Sequence, residues 1–170
     1  MILNCNNIDK TFVDNHVLKN ASFHIEDYEK AAIVGINGAG KSTLLKTLVG
    51  KIPSLSGSFT TGALVNAGYF DQQMAQIKGS ETILDNMLSS FPALNDFEAR
   101  SALGAFLFSG EDVFKTIDML SGGERVRLAL CKLFRKSPNL LILDEPTNHM
   151  DIISKETLED ILTTYSGTLI

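Results

Sequence analysis

A chain of 170 residues with 44% hydrophobic and 21% charged side chains is long enough to bury a core as one domain and too apolar to stay disordered. Fifteen Lys and Arg against twenty Asp and Glu leave a formal charge of -5, which excludes the overall basic footprint that draws a protein onto a phosphate backbone. Cys5 and Cys131 fit no metal spacing or disulfide framework, no apolar stretch approaches the roughly 20 residues that span a bilayer, and the opening residues lack a secretory signal, so a soluble, cytoplasmic protein is expected.

Ile2 to Phe12, Ala21 to Ile25 and Lys30 to Val34 read as short strands separated by polar turns around Asp14-Asn15 and Glu26-Asp27. A Gly-rich stretch from Gly35 to Gly40 then leads into Lys41 to Val49, where Leu44, Leu45, Leu48 and Val49 share one helical face. Pro53, Gly57 and Gly62 punctuate the next stretch, and Ala63 to Phe70 reads as a strand that ends at Asp71-Gln72. From Glu81 to Phe108 the period becomes helical, with Ile83, Leu84, Met87 and Leu88 as one core stripe and Ala102, Leu103, Phe106 and Leu107 as another. A further helix is expected over Gly122 to Arg135, then the uniformly apolar strand Leu140 to Leu143, then a helix marked by Leu158, Ile161, Leu162 and Tyr165. Strands alternating with helices define an α/β chain. Thr168 to Ile170 reads as a strand stopped in its first half, as in a C-terminally incomplete fragment.

The chemistry begins with Gly35, Ile36, Asn37, Gly38, Ala39, Gly40, Lys41 and Ser42, which match G-x-x-x-x-G-K-[ST] between an apolar strand and an amphipathic helix continuing into Thr43. Glycines let successive backbone N–H groups curl around phosphate oxygens, and the helix N-terminus adds a favourable dipole. Lys41 supplies a point charge there, and Ser42 a hydroxyl for Mg²⁺. Leu140 to Leu143 delivers Asp144 and Glu145 at its C-terminal end, where ligands of parallel sheets bind. Asp144 is expected in the Mg²⁺ shell, while Glu145, pointing another way along the chain, is the expected general base for an attacking water. Leu120-Ser121-Gly122-Gly123-Glu124 is a second glycine-rich helix start, and it also reads as an N-cap with a capping box.

The glycine loop, the LSGGE segment and the Asp144-Glu145 pair follow one another in the order and approximate spacing of ATP-binding cassettes, and the chain resembles that family over nearly its whole length. The resemblance implies a P-loop NTPase fold of ABC type with a parallel-sheet core, an N-terminal antiparallel β subdomain and a helical subdomain. One nucleotide-binding domain over residues 1–170 is expected, with its core at about 1–72 and 121–170 and helices at about 80–120. It also implies that Ser121, Gly123 and Glu124 act in trans on ATP held by a second cassette. Gln72, with Gln73 as the alternative, resembles the cassette glutamine that senses Mg²⁺ and water, and Phe12 either takes the place of the aromatic that stacks on adenine or serves as a core residue.

Pro146-Thr147-Asn148-His149-Met150-Asp151 resembles the ABC-F branch, whose cassettes carry Thr-Asn-His where transporter subunits usually carry Thr-Ser-Ala. Ser80 to Ser121 resembles a second ABC-F cassette, without room between Gln72 and Ser121 for the helical arm of many first cassettes. Met150 departs from the usual Leu, a volume-conserving change, and the switch histidine of the family would fall past Ile170. The resemblance implies ATP hydrolysis with a partner cassette and action at the ribosome in translation or antibiotic resistance. A transporter ATPase subunit and a nucleotide-binding module without turnover are the competing readings.

Overall fold

The computed structural model describes residues 1–12, 15–53, 56–148 and 150–170, and the side chains of Phe12, Asn15, His16 and Gln72 fall outside that description. In chain order the elements are β1 (Leu3–Phe12), β2 (Asn15–Ile25), α1 (Lys41–Leu48), β3 (Ser56–Thr61), β4 (Ala67–Phe70), α2 (Ile83–Ser90), α3 (Asp96–Gly104), α4 (Gly122–Arg135), β5 (Leu140–Leu143), α5 (Ile152–Thr164) and β6 (Thr168–Leu169). The chain forms two compact units, one of Met1–Tyr69, Pro138–Asp144 and Ser166–Ile170, the other of Phe70–Ser137 and Glu145–Tyr165.

In the first unit, β1 lies between β2 and β3 in an antiparallel sheet, and a second sheet has the order β4, β5, β6 with β5 and β6 parallel. Leu3, Cys5, Ile8, Leu18 and Ile25 from the first sheet share a core with Leu45 and Leu48 of α1 and with Leu140 and Ile142 of β5. Strict alternation along β1 would send Ile8 to the face opposite Leu3 and Cys5, yet all three are buried. A register shift between Cys5 and Ile8, with Asn7 in the left-handed region at φ 49°, returns Ile8 to the core.

Several expectations for this unit change: the strand expected over Ala63 to Phe70 begins only at Ala67, with Ala63 and Leu64 in a turn, and the strand expected from Ala21 begins at Asn15. Lys30 to Val34 is not a strand: Lys30 makes a single parallel bridge to Leu169, Ala31 donates to the Leu169 carbonyl at 2.8 Å, and among the described residues no strand pairs with the chain past that point, where Val34 is 91% exposed. Apolar content alone cannot make a strand without a neighbour. β3 is an additional strand whose Ser-Gly-Ser-Phe-Thr-Thr sequence is mostly exposed and offers no apolar alternation. The expected turn at Asp14 falls outside the described residues.

In the second unit each α-helix begins at a side-chain cap. Thr82 caps α2, Asn95 and Glu98 form a capping box on α3, Ser121 and Glu124 form another on α4, and Asp151 caps α5. Ile83, Met87, Leu103 and Leu128 are fully buried, and Phe134 of α4 meets Phe106 at 6.0 Å and Tyr165 at 5.7 Å between ring centroids. α3 stops at Gly104, so the expected stripe through Leu107 breaks: Leu107 has φ 63° and is 47% exposed. Leu103→Ala should therefore lower the unfolding free energy by about 2–5 kcal/mol in urea titration. Leu107→Ala should change it by no more than about 0.5 kcal/mol.

Candidate functional site

The glycine loop turns on itself before α1. Ala39 N–H donates to the Ile36 carbonyl at 3.2 Å, and Gly38 and Gly40 hold φ of 82° and 92°, values that favour glycine. A methyl group on Gly40 would also lie 2.5 Å from Val17 Cγ1 and 2.9 Å from the Val17 carbonyl, so that position is closed to side chains twice over. Gly35, Asn37 and Gly38 are exposed, Lys41 opens α1, and no acidic residue in its first turn offsets the positive end of the dipole. Lys41 Nζ donates to the Gly35 and Ile36 carbonyls at 2.9 and 3.1 Å, which keeps the ammonium over the loop. Loop amides, dipole and ammonium together favour a polyphosphate.

Asp144 ends the first unit's apolar strand β5 and is only 7% exposed. Ser42 Oγ donates to its Oδ1 at 2.7 Å, and Tyr69 OH donates to its Oδ2 at 3.1 Å. The Ser42 and Asp144 expected to share a magnesium ion therefore meet directly, although 102 positions separate them in the chain. Tyr69 is the partner that sequence reasoning missed; its usable signal was a tyrosine at a strand end, because a buried phenol needs a polar partner. Lys51 Nζ lies 4.3 Å from the Tyr69 ring centroid, a cation–π contact on the same side chain. Among the described residues no three His, Cys, Asp or Glu side chains cluster as a metal cage. A hydroxyl and one carboxylate fit Mg²⁺ bound with a nucleotide, since that ion takes only one or two protein oxygens and completes its shell with phosphates and water.

The second unit holds Glu145 and the LSGGE segment. Glu145 adopts φ 49°, rare for a side-chain-bearing residue, and its exposed carboxylate accepts from Asn148 Nδ2 at 2.5 Å. Asn148, a diagnostic residue by sequence, thus holds the expected base in place. Ser121 Oγ accepts from Glu124 N–H at 3.2 Å while Glu124 Oε2 accepts from Ser121 N–H at 2.8 Å, closing the box at the start of α4. Lys115 adds ion pairs to Glu124 at 3.3 Å and to Asp112 at 2.7 Å. Burial works to raise the Glu124 pKa, but the Ser121 and Lys115 bonds outweigh it, and the carboxyl stays below the usual glutamate range.

The segments flanking this motif are tied together. Asp118 N–H donates to the Gly79 carbonyl at 3.1 Å, Ile117 N–H to that of Glu81 at 3.1 Å, and Ile83 N–H to that of Lys115 at 3.0 Å. A groove of about 500 Å³ beside Gly122 is lined also by Phe70, Gln76, Lys78, Arg125 and Asn148, with two cations among its walls. Gln72 opens a 3₁₀ turn capped by Asp71, whose carboxylate accepts from Gln73 and Met74 N–H at 3.1 and 3.3 Å. Gln73 is exposed, whereas the Gln72 and Phe12 side chains and His149 lie outside the described residues.

A glycine loop between the opening sheet and a helix, with its serine bonded to the acid at the end of an apolar strand, defines a P-loop nucleotide-binding protein. The chain belongs to the ATP-binding cassette family, for the family model described as "ABC transporter" matches residues 18–148. It is 49% identical over 154 residues to "Putative ATP-binding protein YdiF" of Bacillus subtilis, covering 91% of this chain and 24% of that protein. It is 39% identical to "ABC transporter F family member 5" of Arabidopsis thaliana, covering 99% and 25%, and 43% identical to "ATP-binding protein Uup" of Haemophilus influenzae, covering 91% and 24%. The chain thus spans about a quarter of the length of these curated relatives. A dimeric ATP-binding cassette solved in a post-hydrolysis state with ADP and Pi shares the fold at a TM-score of 0.81 and 21% identity, over 99% of this chain and 86% of that one. Among the described residues no helix is long and apolar enough to cross a membrane.

Because Glu124 is lowered in the folded state, its stabilisation is complete above the ordinary carboxylate range and is lost as pH falls through the folded value. Thermal unfolding should show the parent about 0.5–1 kcal/mol above Glu124→Gln at neutral pH. That difference should shrink as pH falls below the ordinary glutamate range and the carboxylate protonates; a gap independent of pH would contradict the ion pair.

Proposed function

We propose that this chain is the MgATP-binding cassette of an ABC-F protein, which closes on a second cassette when ATP binds, reopens on hydrolysis, and acts at the ribosome. The observation that carries the nucleotide chemistry is the 2.7 Å bond between Ser42 and Asp144 beside the glycine loop. In this reading Gly35, Ile36, Asn37, Gly38, Ala39 and Gly40 present amides to the phosphates, Thr43 lies in the same first helical turn, and Lys41 neutralises the β/γ oxygens. Ser42 and Asp144 would hold Mg²⁺, which would supply charge neutralisation at the phosphates. Glu145, oriented by Asn148, accepts the proton of the attacking water. Ser121, Gly123 and Glu124 reach the nucleotide held by the other cassette, and Phe12 stacks on adenine.

Cassette closure then turns binding energy into a change of shape, because ATP favours only the closed pair. The ABC-F assignment is supported by Thr147-Asn148-His149 and by the similarity to a protein named for the F family. Its cytoplasmic location and ribosomal partner follow from that assignment. The full-length protein carrying Glu145→Gln should bind ATP, hydrolyse it at least about 100-fold more slowly, and sediment with ribosomes in ATP but not in ADP. Recovery of that variant in the membrane fraction, with none on ribosomes, would replace the ribosomal reading with a transporter subunit.

A further inference from the structure

Gly123 is the buried glycine of the LSGGE segment, and what crowds it belongs to the same unit. A methyl carbon built on Gly123 would overlap Asp151 Oδ2 and would lie 2.9 Å from Ser154 Oγ and 3.1 Å from Asp151 Cγ. Gly122, its neighbour, has open space, with no atom within 4 Å of such a carbon. Backbone strain does not explain the difference, since neither glycine has a positive φ. The wall at Gly123 is a side chain, and an unrestrained aspartate would swing aside from an added methyl.

Asp151 is restrained. Its Oδ1 accepts from Ser154 N–H at 2.8 Å as the N-cap of α5, and its Oδ2 accepts from Ser154 Oγ at 3.0 Å. Ser154 is fully buried, so it cannot follow an outward movement of the carboxylate. To clear a methyl at position 123, Asp151 would have to give up its cap on α5. The next residue of the same helical turn, Glu124, is held by Lys115 and Ser121. The first turn of α4 is therefore gripped at two successive residues, by Lys115 on one and by the start of α5 on the other.

We infer that Asp151 is a positioning residue for the LSGGE segment: fixed on Ser154, it is the surface on which Gly123 seats, and it sets how far the first turn of α4 projects. The inference rests on the proposed ATPase reading for its effect on turnover, and on geometry alone for the seating. Glycine at 123 is then demanded from inside the cassette, and Asp151, six residues beyond Glu145, links the segment after the base to the segment that acts in trans.

The test is a double-mutant cycle in the full-length protein, with ATP turnover and thermal unfolding read on the parent, Gly123→Ala, Asp151→Ala and the double variant. Gly123→Ala should lower kcat by about tenfold with the KM for ATP unchanged, and should cost less than about threefold when Asp151 is already alanine. The unfolding midpoint should fall on Gly123→Ala in the parent background and not in the Asp151→Ala background. Equal costs of Gly123→Ala in both backgrounds, in kcat and in midpoint, would overturn the inference. If the parent shows no ATP turnover the ATPase reading fails instead, and the midpoints alone still decide whether Gly123 seats on Asp151.

Discussion

The carboxylate of Asp144 is the constraint on which the nucleotide site depends. It is almost wholly buried, and a buried charge is costly unless its oxygens are satisfied. Both are: Ser42 from the start of α1 takes one and Tyr69 from β4 takes the other. Those bonds fix the start of α1, the end of β5 and the end of β4 around one acid, which is the arrangement the proposed phosphate-and-magnesium site requires. The Leu45 and Leu48 face of α1 packs into the core that includes Leu140 and Ile142, which holds the strand carrying Asp144 in place.

The second unit solves a different problem, how to present a helix start. α4 carries a capping box, an ion pair from Lys115 and a glycine with a neighbouring carboxylate against it, all within its first turn. The backbone bonds between residues 79–83 and 115–118 join that turn to the segment that follows Gln72. Such tethering fits the proposed action of this segment on a nucleotide held elsewhere, because an untethered helix terminus frays. The cost of that design is sensitivity to small changes, as a single methyl group at position 123 illustrates.

Much of this was legible in the sequence, and for identifiable reasons. Gly35 to Ser42 and Asp144-Glu145 are local patterns that follow from phosphate and metal chemistry, LSGGE was legible through resemblance to the cassette family, and α4 and β5 fall where periodicity and apolar content place them. What was not legible depends on neighbours distant in the chain. Lys30 to Val34 carries the composition of a strand but pairs only through an isolated bridge from Lys30 to Leu169, whereas β3 pairs along β1 despite little apolar content. Leu107 fits the helical period of α3 yet follows its last residue, Gly104. Tyr69, Asn148 and Asp151 escaped assignment because their roles are contacts with Asp144, Glu145 and Gly123, which no periodicity encodes.

The central claim is that Ser42 and Asp144 form the magnesium end of an ATP site. Its most direct test is ATP affinity measured with Mg²⁺ and with chelator on the parent and on Asp144→Asn, a change that keeps the side chain's shape and removes its charge. The parent should bind ATP at least about tenfold more tightly with Mg²⁺ than without, and Asp144→Asn should lose most of that gain while its affinity in chelator stays near the parent's. An unchanged response to Mg²⁺ in Asp144→Asn would contradict the account.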